Sequence, residues 1–342
     1  MKAQLGIKAD WQYCEEMLLK VSRTFALNIA KLRGDTHRAV LLGYLFFRIA
    51  DTFEDNSYQT EREKIKALQE FAAIFKGDKS LTERLRLYEP LKFRWREESP
   101  EKNLVENGDR VFRCYFDLPE IYRRIMDPHL ATTAEGMASF QRRKQEEGKA
   151  IFQLRDLPDL EDYCYYVAGS VGIMLTEIFC LREGLRGCER ELRRRQVQFG
   201  LALQFTNIVK DYFKDLERGW CYIPASVTGK YGLEPEELLQ LSPEGRRKIL
   251  KDLVPRVVEH FDATLGYIEL LPKGERDIRL FCSIPFVLAY NTLLQVIEVG
   301  AKLSRPQVAV ILDQCELFAR SNQKLREDYQ RARRLLLEFA TR

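Results

Sequence analysis

Apolar residues recur at helical spacing along most of the chain. One run places Val40, Tyr44 and Phe47 at intervals of four and three residues, and a second run does the same between Leu201 and Phe213. Such intervals are typical of one face of an α-helix. The single Asn-Gly pair, which often marks a hairpin, has no alternating apolar runs beside it. The pattern therefore predicts an all-α protein.

Prolines leave two long stretches uninterrupted. None precedes Pro90, and none lies between Pro158 and Pro224, so both stretches can hold long helices. A length of 342 residues allows one or two domains at about 150 residues each. Because no internal repeat and no linker-like segment interrupts the pattern, we expect one domain over residues 1–342.

The charges are nearly balanced, since 55 Lys and Arg face 51 Asp and Glu for a formal charge of +4. The basic residues do not gather in the way that nucleic-acid-binding surfaces require, so we expect no nucleic-acid partner. The charged runs at 189–196 and 324–339 are typical of solvated helix faces. No glycine-rich phosphate loop of the usual kinds is present.

Cysteine usage and hydropathy favour a cytoplasmic protein. The eight cysteines are scattered and contain no C-x-x-C pair, which argues against a zinc site or a disulfide framework. No secretory signal begins the chain. The most apolar stretch, 281–300, contains Pro285, Asn291 and Glu298, which favour a buried helix over a membrane span. We expect at most peripheral contact with the inner face of the membrane, and no obligate protein partner.

The first acidic cluster follows the apolar run at 40–50. Asp51, Glu54 and Asp55 stand at positions i, i+3 and i+4, which places three carboxylates on one face of a helix. Like charges at this spacing destabilise a helix by about 0.2–0.5 kcal/mol per pair. A neighbouring cation should therefore compensate them. Surface charge is the ordinary alternative for a single cluster of this kind.

The second acidic cluster lies about 156 residues later. Asn207, Asp211 and Asp215 step at intervals of four and form a stripe of about 12 Å along a helix. Oxygen ligands of this type suit Mg²⁺, which binds few carboxylates and shares phosphate oxygens. Two such clusters facing each other across a helical bundle would form carboxylate walls for a metal-bridged diphosphate.

Five sequence blocks resemble, in order, the squalene and phytoene synthase family of head-to-head prenyl synthases. They are YCEEMLLKVSRTFA (13–26), GYLFFRIADTFEDN (43–56), YCYYVAGSVG (163–172), NIVKDYFKDLERGWCYIP (207–224) and FCSIP (281–285). The third and fifth blocks resemble squalene synthases more than phytoene synthases. The resemblance implies an all-α, isoprenoid-synthase-type helical bundle around a central active-site cavity.

The resemblance also implies roles for individual residues by matching position. The implied Mg²⁺ ligands are Asp51, Glu54 and Asp55 at one substrate diphosphate and Asn207, Asp211 and Asp215 at the other. The implied contacts to substrate diphosphate are Ser22, Arg23, Arg48, Gln204 and Lys210. Tyr44 and Tyr163 would be catalytic together with Asp51 and Asp211, and Tyr163 would handle a proton near the departing diphosphate.

The implied reaction is a Mg²⁺-dependent condensation of two farnesyl diphosphates to presqualene diphosphate, followed by NADPH-dependent reduction to squalene. Mg²⁺ and basic side chains would neutralise the leaving group, and an apolar aromatic cavity would keep the allyl cation from water. The open alternatives are an ending in hydroxysqualene or dehydrosqualene, phytoene synthesis from geranylgeranyl diphosphate, and a non-catalytic helical assembly factor.

Three positions depart from the family pattern, each to an aromatic residue. Trp220 stands where Arg is common, Phe205 where squalene synthases tend to have Lys, and Phe286 where they tend to have Gln. Because each change replaces a polar group, the departures bear on the reductive step more than on the first condensation.

Overall fold

The computed structural model describes residues 2–22, 25–92 and 98–341. The chain is 80% helical, which confirms the all-α prediction. Within the described ranges the only strands are two short ones, β1 (Phe152–Gln153) and β2 (Trp220–Cys221). They pair in parallel, with Phe152 opposite Trp220.

The chain divides into two compact units, Met1–Glu146 with Glu177–Leu181, and Glu147–Thr176 with Arg182–Arg342. The described helices of the first unit are α1 (Lys2–Val21), α2 (Phe25–Ile29), α3 (Gly34–Asp55), α4 (Glu61–Ile74), α5 (Leu81–Tyr88), α6 (Pro100–Glu106), α7 (Gly108–Asp117) and α8 (Glu120–Glu147), with a 3₁₀ turn at Glu89–Leu91. One domain over residues 1–342 stays a prediction.

The second unit begins with the strand β1 and continues with further helices. They are α9 (Leu157–Cys164), a π-helical segment (Tyr165–Gly169), α10 (Ser170–Cys180), α11 (Glu189–Arg193), α12 (Gln196–Glu217), α13 (Ala225–Thr228), α14 (Pro243–Lys251), α15 (Val254–Leu270), α16 (Arg276–Val299), α17 (Arg305–Phe318) and α18 (Asn322–Thr341). Short 3₁₀ turns lie at Glu183–Leu185, Gly229–Tyr231 and Pro235–Gln240. The last residues of α10 belong to the first unit.

An aromatic cluster in the core of the first unit holds α3 in place. Phe46 is fully buried, and its ring centroid lies 4.8 Å from that of Phe112, 5.2 Å from Phe75 and 5.3 Å from Tyr115. Aromatic pairs at these separations contribute beyond their buried area. The apolar run of the sequence is therefore the buried face of α3. Its packing fixes the orientation of the helix end that carries Asp51, Glu54 and Asp55.

Glycines let α12 approach the segment after α9 closely. A Cβ atom at Gly200 would lie 2.1 Å from the carbonyl oxygen of Ala168, and one at Gly172 would lie 2.2 Å from that of Gln196. Only glycine permits backbones to come this near. The same segment contains the π-helical turn at Tyr165–Gly169, a distortion that is frequent at functional sites.

Replacing Gly200 by alanine should lower the free energy of unfolding by about 1–3 kcal/mol, the usual cost of overpacking, because the added methyl group meets rigid backbone. Denaturant unfolding followed by circular dichroism would measure this loss. Gly229→Ala is the matched control, since its Cβ would point into open space and its φ is −61°. An equal loss in both variants would contradict the close-packing argument.

Among the residues that the structure describes, two helical stretches are long and apolar enough to cross a membrane by length and composition, Leu157–Cys180 and Arg276–Val299. In the latter, 72% of the most apolar window is buried inside the protein, against 44% in the former. Arg279 within α16 is also fully buried and donates hydrogen bonds to the backbone. α16 is therefore a core helix of the second unit, as its polar residues predicted.

Candidate active site

Three predicted residues of α3 form a chain of contacts along the helix. Arg48 Nη2 donates a hydrogen bond of 3.1 Å to the hydroxyl of Tyr44, and Arg48 Nη1 lies 3.8 Å from Asp51 Oδ2. Burial alone would favour the neutral guanidine, but the carboxylate of Asp51 raises the pKa of Arg48 above its usual value. Arg48 is thus a fixed cation held between a phenol and a carboxylate.

The three acids of the first cluster differ in exposure. The side chain of Asp51 is 41% exposed and Asp55 is exposed, whereas only 9% of Glu54 is accessible. All three acids lie at the end of α3, as their spacing predicted, but Glu54 is buried there whereas Asp51 and Asp55 are not. Lys64 on α4 interacts electrostatically with both Glu54 and Asp55, and burial lowers its pKa below the usual value. Arg48 and Lys64 are the compensating cations that the sequence required.

The segment before α2 contains two further predicted contacts. Ser22 is buried, and its hydroxyl accepts a hydrogen bond of 3.1 Å from the backbone N–H of Phe25. The hydroxyl of Ser22 thus gives a partner to the first backbone N–H of α2, which has none within the helix, while the ring of Phe25 lies 5.8 Å from that of Tyr44. Arg23 lies outside the described residues.

The second cluster lies on α12, and the side-chain amines of two lysines contact its member Asp211. Lys210 Nζ contacts Asn207 Oδ1 at 2.8 Å and Asp211 Oδ2 at 3.2 Å. Lys302, in the connection between α16 and α17, forms a close ion pair with Asp211 Oδ1. Burial would raise the pKa of Asp211, but Lys302 and Lys210 hold it below the usual value. The carboxylate therefore stays ionised.

Asp215 and Gln204 lie on the same side of α12 as Asp211, because they stand four residues after it and seven residues before it. Asp215 is nearly buried and pairs with Arg218, whose Nη2 donates to Asp215 Oδ1 at 2.6 Å. Gln204 is partly buried about two turns before Asp211. Each acid of the second cluster thus has a lysine or arginine beside it, a feature that the four-residue spacing did not reveal.

The acids of both clusters fit Mg²⁺ in their chemistry. Within the described ranges no group of three or more His, Cys, Asp or Glu side chains is arranged to hold a metal ion. Mg²⁺ usually takes only one or two carboxylates from a protein and completes its shell with water and phosphate oxygens. Asp51 with Asp55 on α3, and Asp211 with Asp215 on α12, offer such pairs of oxygen donors.

Tyr163 lies near the end of α9 and is almost completely buried. Its hydroxyl donates a hydrogen bond of 2.9 Å to the hydroxyl of Tyr222, and the two rings stack with centroids 4.5 Å apart. Tyr222 in turn stacks on Trp220. The sequence singled out Tyr163 and Trp220 but missed Tyr222 between them. The available signal was the spacing of Trp220 and Tyr222, because residues two apart in an extended chain project to the same side.

The three aromatic departures from the family pattern are all buried in the second unit. Phe286 packs against the rings of Phe261, Tyr290 and Tyr329. Phe205 lies 5.1 Å from the ring of His260. At these positions the aromatic side chain fills the core.

Comparisons with known sequences agree with one another. Residues 18–312 match the family model described as squalene/phytoene synthase. The chain is 31% identical to the squalene synthase of Dictyostelium discoideum over 326 residues, which are 92% of this chain and 71% of that protein. It is 30% identical to the squalene synthase of Rattus norvegicus, with coverage of 87% and 68%.

Solved structures share the fold. The complex of TcSQS with the ligand BPH1237 aligns with a TM-score of 0.77 at 23% identity and covers 97% of this chain and 98% of that chain. A dehydrosqualene synthase in complex with a ligand aligns with a TM-score of 0.63 at 20% identity, with coverage of 91% and 97%. The likeness at these identities shows the all-α isoprenoid-synthase fold.

Proposed function

Because this chain belongs to the squalene/phytoene synthase family and is a squalene synthase-type enzyme, we propose that it joins two farnesyl diphosphates head to head. The product of this step is presqualene diphosphate, and squalene follows by reduction. The stripe on α12 carries the proposal, since Asp211 and Asp215 each lie beside a cationic side chain. Carboxylates suit Mg²⁺ and cations suit phosphate oxygens, so one helix face offers both kinds of partner.

The proposed metal ligands are Asp51 and Asp55 on α3 and Asp211 and Asp215 on α12. Bound Mg²⁺ supplies a Lewis acid that stabilises the charge on the departing diphosphate. We assign Glu54 and Asn207 supporting roles. Glu54 is buried beside Lys64, and Asn207 accepts a hydrogen bond from Lys210.

Two basic side chains near the acidic clusters are held in position by neighbouring protein groups. Lys210 is held by Asn207 and Asp211, and Arg48 by Tyr44 and Asp51. Donors fixed in this way stabilise developing charge without reorganising during the reaction. We propose that Arg48 and Lys210 bind diphosphate oxygens, together with Ser22, Arg23 and Gln204.

We propose NADPH as the reductant and squalene as the product. The aromatic departures at 205, 220 and 286 are buried, so they do not remove a polar group from an exposed surface. The similarity to squalene synthases at 30–31% identity supports the full reductive reaction over an ending by water, which gives hydroxysqualene, or by proton loss, which gives dehydrosqualene.

The test is to incubate purified protein with farnesyl diphosphate and Mg²⁺, with and without NADPH, and to identify products by mass. Squalene formed only with NADPH supports the proposal. Hydroxysqualene or dehydrosqualene in both samples would show that the reaction ends without reduction, by addition of water or by loss of a proton. Phytoene formed from geranylgeranyl diphosphate, with no product from farnesyl diphosphate, would show that the enzyme is a phytoene synthase and not a squalene synthase.

The proposed setting of the enzyme is the cytoplasm, with farnesyl diphosphate as its small-molecule partner and no nucleic acid. Peripheral contact with the inner face of the membrane would suit a hydrocarbon product. The burial of most of the apolar window in α16 supports this setting over a spanning helix.

Replacing Lys302 by methionine should lower the Mg²⁺ concentration that gives half-maximal rate by about two- to fivefold, because partly exposed ion pairs contribute about 0.2–1 kcal/mol. The ammonium of Lys302 contacts Asp211 and competes there with a cation. A Mg²⁺ titration of the initial rate measures the effect. Lys230→Met is the control, since Lys230 pairs with Asp252. A higher Mg²⁺ requirement in Lys302→Met would show that Lys302 assists binding.

A further inference from the structure

The segment after α12 turns sharply and runs beside β1. Gly219 has a φ of +77°, a left-handed conformation that suits glycine, and it ends the helix that carries the second acidic cluster. The backbone N–H of Phe152 donates to Gly219 O at 3.0 Å, and that of Leu154 donates to Cys221 O at 3.2 Å. These bonds fix the strand on which Trp220 projects its side chain.

Three aromatic rings form a stack that begins on this strand and ends at Tyr163. We call Trp220, Tyr222 and Tyr163 the aromatic stack. The Trp220 and Tyr222 rings are 5.5 Å apart at 13°, and the Tyr222 and Tyr163 rings are 4.5 Å apart at 27°. The ring of Phe152 packs edge-on against Trp220, with ring centroids 5.3 Å apart and an interplanar angle of 80°. All three members of the stack are buried.

We infer that Tyr222 and Trp220 are positioning residues for Tyr163. This inference rests on the proposed function and on the role that the family resemblance implies for Tyr163, which is to handle a proton near the departing diphosphate. The hydrogen bond from Tyr163 to Tyr222 fixes the direction of the Tyr163 proton. Linked hydrogen bonds polarise one another, so donation to Tyr222 makes the Tyr163 oxygen a better acceptor.

Trp220 acts on Tyr163 through Tyr222. Its indole ring stacks nearly parallel on Tyr222, and this offset stacking restrains the tilt of the Tyr222 ring. The hydroxyl of Tyr222 therefore stays within reach of Tyr163. Where the family pattern commonly has an arginine, this chain has a ring that holds the proton-handling residue in place.

The kinetic test compares Tyr222→Phe, Tyr163→Phe and the double variant, with farnesyl diphosphate and Mg²⁺. We expect Tyr222→Phe to lower kcat about tenfold, less than the roughly 10²–10⁴-fold that a proton-transferring group itself contributes, and to leave KM within about twofold. In the Tyr163→Phe background the same change should have no further effect, because the two residues act as one unit. Multiplicative losses in the double variant would overturn the inference.

The second measurement does not depend on turnover. With 3-fluorotyrosine incorporated, the ¹⁹F resonance of Tyr163 is identified by its loss in Tyr163→Phe. It should shift in Tyr222→Phe and in Trp220→Leu, and return towards its original position in Trp220→Phe, which restores a ring. An unmoved resonance in Tyr222→Phe and Trp220→Leu would overturn the inference even in an active enzyme.

The matched control is Tyr267→Phe, which removes a buried hydroxyl 3.0 Å from that of Thr176. It should leave kcat and the Tyr163 resonance unchanged, and equal effects at 222 and 267 would mean general loss of packing. If the unmodified protein does not convert farnesyl diphosphate, the proposed function fails, and the fluorine shifts still decide whether the stack sets Tyr163. If the protein is active and the shifts are absent, only the stack inference fails.

Discussion

Asp211→Asn should lower the rate of farnesyl diphosphate turnover by about a thousandfold, equivalent to ~4 kcal/mol of lost transition-state stabilisation. The amide keeps the shape of the side chain but cannot carry the charge that binds Mg²⁺. Asp211 stays ionised because Lys302 and Lys210 hold its pKa below the usual value. Steady-state kinetics at saturating Mg²⁺ measures the loss, and circular dichroism should show unchanged helix content.

Asp51→Asn should give a loss of the same order, because Asp51 is a partly exposed acid of the first cluster and lies beside Arg48. Asp252→Asn is the control for both variants, since Asp252 pairs with Lys230 outside either cluster. We expect its rate to stay within about twofold of the unmodified protein. A normal rate in either Asp51→Asn or Asp211→Asn would contradict the metal sites.

Arg279→Met should lower the free energy of unfolding by about 3–5 kcal/mol, because it leaves several buried acceptors without a donor. Arg279 Nε donates to Ala319 O at 2.6 Å and Nη1 donates to Ile268 O at 3.0 Å. Nη1 also bonds to Leu271 O, and Nη2 to Asn322 Oδ1. These carbonyls lie at the ends of α15 and α17, where helices leave oxygens unpaired. Denaturant unfolding measures the loss.

Arg326→Met is the matched control for Arg279→Met. Arg326, on α18, also bonds to α15, through two hydrogen bonds of 2.9 Å to Glu269, but its side chain is exposed. Exposed ion pairs contribute little to stability, so we expect nearly unchanged unfolding. A similar loss in the free energy of unfolding for both variants would show that the burial of Arg279 does not cause its destabilising effect.

Spacing within one helix was predictable from the sequence, because helical geometry fixes the relative positions of residues a few places apart. The stripe of Asn207, Asp211 and Asp215 on α12 follows from this rule alone. The same rule does not predict burial: Glu54 is buried beside Lys64, whereas the side chain of Asp51 is 41% exposed. Exposure depends on which neighbouring helix packs there, and spacing carries no information about that.

Contacts between distant residues were not predictable from local pattern. Lys302 meets Asp211 across 91 positions, and Tyr163 meets Tyr222 across 59. Phe286 was interpreted as the loss of a polar contact, yet it lies in an aromatic core cluster. A side chain at one motif position can serve chemistry or packing, and only its three-dimensional neighbours distinguish the two.

The pairing of β1 with β2 has a consequence for folding order. Two strands of two residues are too short to persist by themselves, and their pairing joins Phe152 to Trp220 and closes the long intervening segment at an entropic cost. Helices form from local contacts faster than such distant pairs. We therefore expect the strand pair to form after α9 and α12 have docked, which would make the alignment of Tyr163 a late event in folding.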